Sequence, residues 1–248
     1  MTALLQAELI KLRTTRTFLA LTAAAVGTSL LITVLVAVLN EPTQDEVLTD
    51  VFTSDTSSLF IMILAVIGIT GEWRHHTITS SLLAAPDRLR FLTAKLIAFA
   101  VAGLLLSVLI SIAITIVGLV ILTVRDLPTP DAGELIEQMA RNALVAALLG
   151  AFGVGIGGLV RNQVVAVVGL LVVSFALDPV VAALLPEIGR FSPFSALPIA
   201  ITDVDPENAG LPGDIDVLSP GLAILAMLAW IGAAFAPAGA LLIRRDLD

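Results

Sequence analysis

The sequence predicts an all-α integral membrane protein of six transmembrane helices, with N- and C-termini cytoplasmic and an interfacial helix at the N-terminus. Three observations carry that reading. Of 248 residues, 58% are hydrophobic and 14% charged, which is more apolar side chain than one soluble core can bury. The apolar residues fall in charge-free runs, and crossing a bilayer core of ~30 Å takes about 20 residues at ~1.5 Å rise each. The basic residues gather in alternate connections, and that bias sets orientation.

Residues 1–17 form the interfacial helix. Leu5, Leu9 and Leu12 share one helical face, while Glu8, Lys11 and Thr15 share another. The leucines would bury in the acyl boundary, and Lys11, Arg13 and Arg16 would lie against anionic headgroups. The run that follows is of spanning length and lacks a small-residue cleavage site, so it reads as retained span one rather than a signal peptide.

The spans fall at about 18–39, 56–73, 95–124, 142–160, 162–185 and 218–243. The second and fifth have the shortest uncharged stretches, so they must borrow flanking residues or lie nearly upright. With a cytoplasmic start, the inner segments hold Lys11, Arg13, Arg16, Arg74, Arg88, Arg90, Lys95, Arg161, Arg244 and Arg245, ten of the thirteen basic residues. Only Arg125, Arg141 and Arg190 fall outside, as the positive-inside rule requires.

Acidic residues mirror this pattern. The first outer loop carries Glu41, Asp45, Glu46, Asp50 and Asp55, the second Asp126, Asp131, Glu134 and Glu137, and the third another cluster. The net charge of −8 therefore reads as a solvated outward coat rather than a site for a basic ligand, although it would enrich cations at the outer mouth.

Residues 72–95 make the longest inner connection, reading EWRHHTITSSLLAAPDRLRFLTAK. Ile78, Leu82 and Leu83 suit one side of a short helix, Pro86 a stop, and Asp87 an N-cap for the next helix. Arg161, Asn162 and Gln163 form a tight inner turn. The outer segment 186–217 is rich in proline and contains apolar stretches; re-entrant pieces there would need protein or water to satisfy their backbone.

Several constellations resolve into bland readings. Gly153, Gly155 and Gly158 match G-x-G-x-x-G but lie inside an apolar span with no preceding strand, so they are not a nucleotide site. Gly150, Gly153 and Gly157 have the small-residue spacing that lets helices approach closely in lipid. His75 and His76 beside Glu72 lack a third ligand at metal-binding spacing, and the chain contains no cysteine. No phosphate-cradling G-x-x-x-x-G-K-[ST] occurs, so any ATP and Mg belong to a partner, and no cofactor is expected in this chain. Trp73 reads as an interfacial anchor and Trp230 as packing. Asp178, just before Pro179, reads either as a carboxylate at membrane depth or as an interfacial one ahead of a helix break, and the second reading is preferred.

The order of these features resembles the ABC-2 type transporter permeases. The basic N-terminal segment ELIKLRTTRTF and an acidic outer loop precede a second span that runs into GEWRHHTITSSLLAAPDRLRFLTAKL, with Gly71, Glu72, Thr77, Leu82, Leu83, Pro86, Arg88, Phe91 and Lys95 at the matching positions. The topological likeness covers the whole chain, and the motif only residues 71–95. The resemblance implies one permease domain over 1–248, the membrane subunit of an exporter. Segment 72–95 would couple it to a separate ATP-binding subunit through Glu72, Arg74, His75, Thr77, Pro86, Arg88, Arg90 and Lys95. It further implies pairing with a second, identical or different, permease chain, contact with membrane lipids and none with nucleic acid. Arginine outnumbers lysine eleven to two, a bias of GC-rich bacterial genomes, so the expected location is a bacterial plasma membrane. The spans hold few ionisable groups and favour an amphiphilic or apolar cargo. The other classes are a membrane-embedded enzyme using Glu72, His75 and His76, and a non-transporting scaffold or immunity protein; the first needs facing catalytic residues on at least two spans.

Overall fold

The computed structural model of the chain describes residues 2–44, 46–75, 77–79, 87–160, 162–206, 211 and 215–244. Among the described residues every regular element is helical, and six helices are long and apolar enough to cross a membrane. In chain order α1 is Thr2–Thr14, α2 Arg16–Leu39, α3 Val47–Phe52, α4 Ser57–Arg74, α5 Arg88–Val124 and α6 Ala132–Leu159. Then follow α7 at Gln163–Leu184, α8 at Pro186–Gly189, α9 at Ala196–Thr202 and α10 at Pro220–Arg244.

α6 is the central and most buried of the six, with α4, α5 and α10 around it. Its glycines explain how closely. Gly150, Gly153 and Gly157, spaced three and four apart, lie on one face. A Cβ at Gly150 would sit 2.5 Å from the Phe99 carbonyl oxygen of α5, and one at Gly153 would sit 2.6 Å from that of Met62 on α4. At Gly157 it would lie 2.3 Å from Ile69 Cγ2. Gly155 and Gly158 face Ala234 and Ala238 of α10 instead, so the apparent dinucleotide spacing is split between two packed faces.

Two helices begin before the expected spans, α5 at the cap that the sequence places on Asp87. α5 begins at Arg88 rather than 95, because the Asp87 carboxylate accepts from the Arg90 backbone N–H at 3.1 Å and fixes the first turn. Its 37 residues extend about 55 Å, well beyond a bilayer core. α6 begins at Ala132 rather than 142, with Leu135, Gln138 and Asn142 buried on its early turns.

Part of the first acidic connection is folded into the bundle. On α3, Val47 and Val51 are fully buried, and Phe52 and Val51 press against Gly118 of α5. Residues 53–56 then turn directly into α4. The reading of this connection as a solvated coat fails for its second half, because α3 carries a buried apolar face there.

α7 does not break at Pro179. Proline lacks an N–H and its ring crowds the preceding turn, which normally kinks or ends a helix. Here Val173–Leu177 widens into a π-helical turn, the Asp178 N–H donating to the Val173 carbonyl, and the helix continues to Leu184. The preferred reading of Asp178 as an interfacial carboxylate before a helix break is therefore replaced. Asp178 is buried within a continuous helix, where it accepts hydrogen bonds from Ser192 and Ser195.

Candidate functional site

Four charged side chains from three helices meet at one end of the bundle. Lys95, one turn after Phe91 on α5, is 2% exposed, and its ammonium lies 5.2 Å from the centre of the Phe91 ring. Lys95 Nζ donates to Glu8 Oε2 of α1 at 2.6 Å and to Glu72 Oε1 of α4 at 3.1 Å. Lys11 Nζ, one turn after Glu8, donates to Glu8 Oε1 and to Glu72 Oε1, both at 3.1 Å. Thr77 Oγ1 donates to Glu72 Oε2 at 2.7 Å.

The result is a ring of alternating charge in which each lysine bridges both carboxylates. Two positive and two negative groups cancel, and the short contacts offset the desolvation that would otherwise expel them. Burial by itself would pull the Lys11 ammonium down, but Glu8 and Glu72 together outweigh it and hold Lys11 above its ordinary value. A cavity of about 640 Å³ adjoins the ring, with Glu8, Lys11, Arg74 and His75 on its polar side and Phe18 and Leu64 on its apolar side.

This geometry corrects two expectations. Glu8 belongs to the polar face, opposite the leucines expected to bury, yet it is the buried residue among the described side chains of α1, while Ile10 is 63% exposed. Glu8 turns inward because the ammonium of Lys95 offers it a charge partner, which an amphipathic pattern does not register. Lys95, expected at a surface that meets another subunit, is instead enclosed.

The remaining predicted residues divide by exposure. Arg88 Nη1 donates to the carbonyls of Leu242 and Ile243 at 2.6 and 3.1 Å, capping the end of α10. Arg74 is exposed and donates to Gln163 at the start of α7 at 3.2 Å, and His75 is exposed at the end of α4. Arg90 is exposed and pairs with Asp87 at 2.9 Å; Arg13 and Arg16 are exposed on α1 and α2. Asn162 caps α7 through Val164 and Val165. Pro86, Leu82, Leu83, His76, Arg161 and Arg245 lie outside the described residues. Of the tryptophans, Trp73 packs against the core, and Trp230 packs edge-on to Phe152 while donating to the Phe191 carbonyl at 2.8 Å.

The half-buried carboxylate of Asp55 escapes the sequence reading, which names Asp178 without the partners that hold it. Asp55, in the turn before α4, accepts from Ser107, from Ser111 at 3.2 Å and from the Ser57 N–H at 2.8 Å. Asp178 is held by Ser192 and Ser195. The available signal was the pair Ser107 and Ser111, hydroxyls one turn apart in the otherwise apolar stretch from Leu96 to Ile114 of α5.

No protein-family model matches the chain, and no curated protein is similar to it. The class that the fold defines is an all-helical protein whose six candidate spans suggest a multi-pass membrane protein.

Proposed function

We propose that the chain is the membrane-spanning permease subunit of an ATP-binding cassette exporter of the ABC-2 type. It lies in a bacterial plasma membrane with both termini cytoplasmic. It has no ATP site of its own, so hydrolysis belongs to a separate ATP-binding subunit, and a second permease chain completes the assembly.

The observation that carries this reading is the charge ring joining α1, α4 and α5 at one end of the bundle, beside the exposed Arg74, His75 and Arg90. A push from a partner on the segment between α4 and α5 would reach α1 and both helices together rather than bending one loop. Coupling of this kind requires two packed arrangements that differ in affinity for cargo, with ATP biasing the choice between them. The basic ends of α4, α5 and α10 lie together, since Arg88 reaches the end of α10 and Lys95 reaches Glu72. That shared end is the inner one by the positive-inside rule.

Glu72 and Arg88, first read as partner contacts, here support their own chain, so the exposed side chains carry the test. The ATP-binding cassette protein encoded beside this gene should co-purify with the chain in detergent. Arg74→Ala with His75→Ala and Arg90→Ala should break that association and leave the melting temperature unchanged. Failure of the wild-type chain to retain the partner counts against the reading.

A further inference from the structure

A second cavity, of about 410 Å³, opens at the far end from the charge ring, between α2, α3, the 53–56 turn, α4, α6 and α9. Its volume falls in the range of small-molecule sites, roughly 300–1,000 Å³. Its wall combines the carboxylates of Asp50 and Asp55, the buried amide of Asn142 and the hydroxyl of Thr202 with apolar surface from Ile32 and Val145.

The charges of this wall do not balance. Among the described residues no lysine, arginine or histidine lines it. Among the described residues the Asp55 carboxylate is held by neutral donors, the Ser107 and Ser111 hydroxyls and the Ser57 N–H. The Asp50 carboxylate has no hydrogen-bond or ion-pair partner among the described residues. The contrast with Glu8 and Glu72 is direct, since each of those meets two lysines. Ser107 and Ser111 lie mid-way along α5, so the half-buried Asp55 meets that helix within its apolar length, where a carboxylate without a cation beside it is costly.

A cation from outside the chain would balance the site, and the cavity selects its kind. A bare metal ion needs several oxygen ligands closed around it at about 2–2.6 Å. A space of 410 Å³ with a half-apolar wall instead fits a charged head on a hydrocarbon body. We propose that this cavity binds an organic ammonium ion. Its N–H groups meet Asp55 and Asp50, Asn142 and Thr202 supply further hydrogen bonds, and its alkyl portion lies against Ile32 and Val145. The inference does not rest on the transporter reading, because binding needs only this chain.

The test uses the full-length chain in detergent. Dansylcadaverine carries a primary ammonium and a polarity-sensitive fluorophore; dansylamide carries the fluorophore without the charge. Dansylcadaverine should give a saturable fluorescence rise that butylammonium displaces, and dansylamide should give none beyond micelle partitioning. Asp55→Asn should weaken binding at least tenfold. If loss of the serine contacts prevents that variant from folding, Asp50→Asn, which has no side-chain partner to lose among the described residues, should still fold and weaken binding several-fold. Equal responses to the two dyes, or wild-type affinity in every folded variant, overturns the proposal.

Discussion

Lys95 Nζ donates to Glu8 Oε2 at 2.6 Å across 87 residues of chain, at a point where both side chains are enclosed. The contact fixes α1 to the bundle, because it lies beneath the helix rather than at its rim.

Lys95→Met should therefore be strongly destabilising. Removing one member of a buried ion group leaves its partners uncompensated, at a cost of about 3–5 kcal/mol. Glu8 and Glu72 would then lean on Lys11, whose side chain is 48% exposed. The expected result is a lower melting temperature in detergent together with faster amide exchange in α1. Arg13→Gln, at an exposed position on the same helix, should change neither.

Lys11 makes the same attachment sensitive to alkali. Its pKa is raised in the folded chain, so its contribution is fully present below the unfolded lysine value of about 10.4 and is lost as pH rises through the folded value. Melting temperature should stay level in this respect from neutral pH to near 10 and fall above that. Lys11→Met should remove the part of the alkaline fall that is specific to α1 exchange. An identical alkaline profile in wild type and Lys11→Met would rule out this role.

The six helices were legible because charge-free length and basic bias both follow from the cost of placing charge in hydrocarbon. The N-cap at Asp87 was legible too, since it depends on local backbone geometry. What escaped is long-range. Glu8 lies on the polar face of α1 by periodicity, and only Lys95, far along the chain, makes it a buried residue. Asp55 and Asp50 merge with an acidic loop in the sequence, and only the burial of Val47 and Val51 carries that part of the loop into the bundle. Pro179 signals a break, but the widened turn before it uses ordinary apolar residues and leaves no compositional trace.

The glycine face of α6 gives a prediction with an internal control. Gly153→Leu would force a side chain into the Met62 backbone of α4, where even a Cβ would lie 2.6 Å from the carbonyl oxygen. Overpacking of this sort costs about 1–3 kcal/mol. Gly232→Ala on α10 adds a Cβ that meets no atom within 4 Å, and helix propensity favours alanine there by up to ~1 kcal/mol. Melting temperature should fall for the first and hold or rise for the second. A Gly153→Leu chain that melts like wild type would show that α4 and α6 do not approach so closely.

The segment 191–195 is gripped from two sides. Asp178 on α7 accepts from Ser192 and Ser195, and Trp230 on α10 donates to the Phe191 carbonyl. Asp178→Leu leaves two hydroxyls without their acceptor, and unsatisfied buried polar groups cost about 1–3 kcal/mol. Trp230→Phe removes one hydrogen bond, with a net cost of about 0.5–1.5 kcal/mol. Because both hold the same segment, the two losses should combine to less than their sum once either grip is released. With Trp73→Phe as background, Trp230 is the sole tryptophan. Its emission should shift to the red in Asp178→Leu as the segment and its carbonyl move away. Unchanged emission with a lowered melting temperature would mean that Asp178 stabilises α7 alone, without positioning the segment that Trp230 touches.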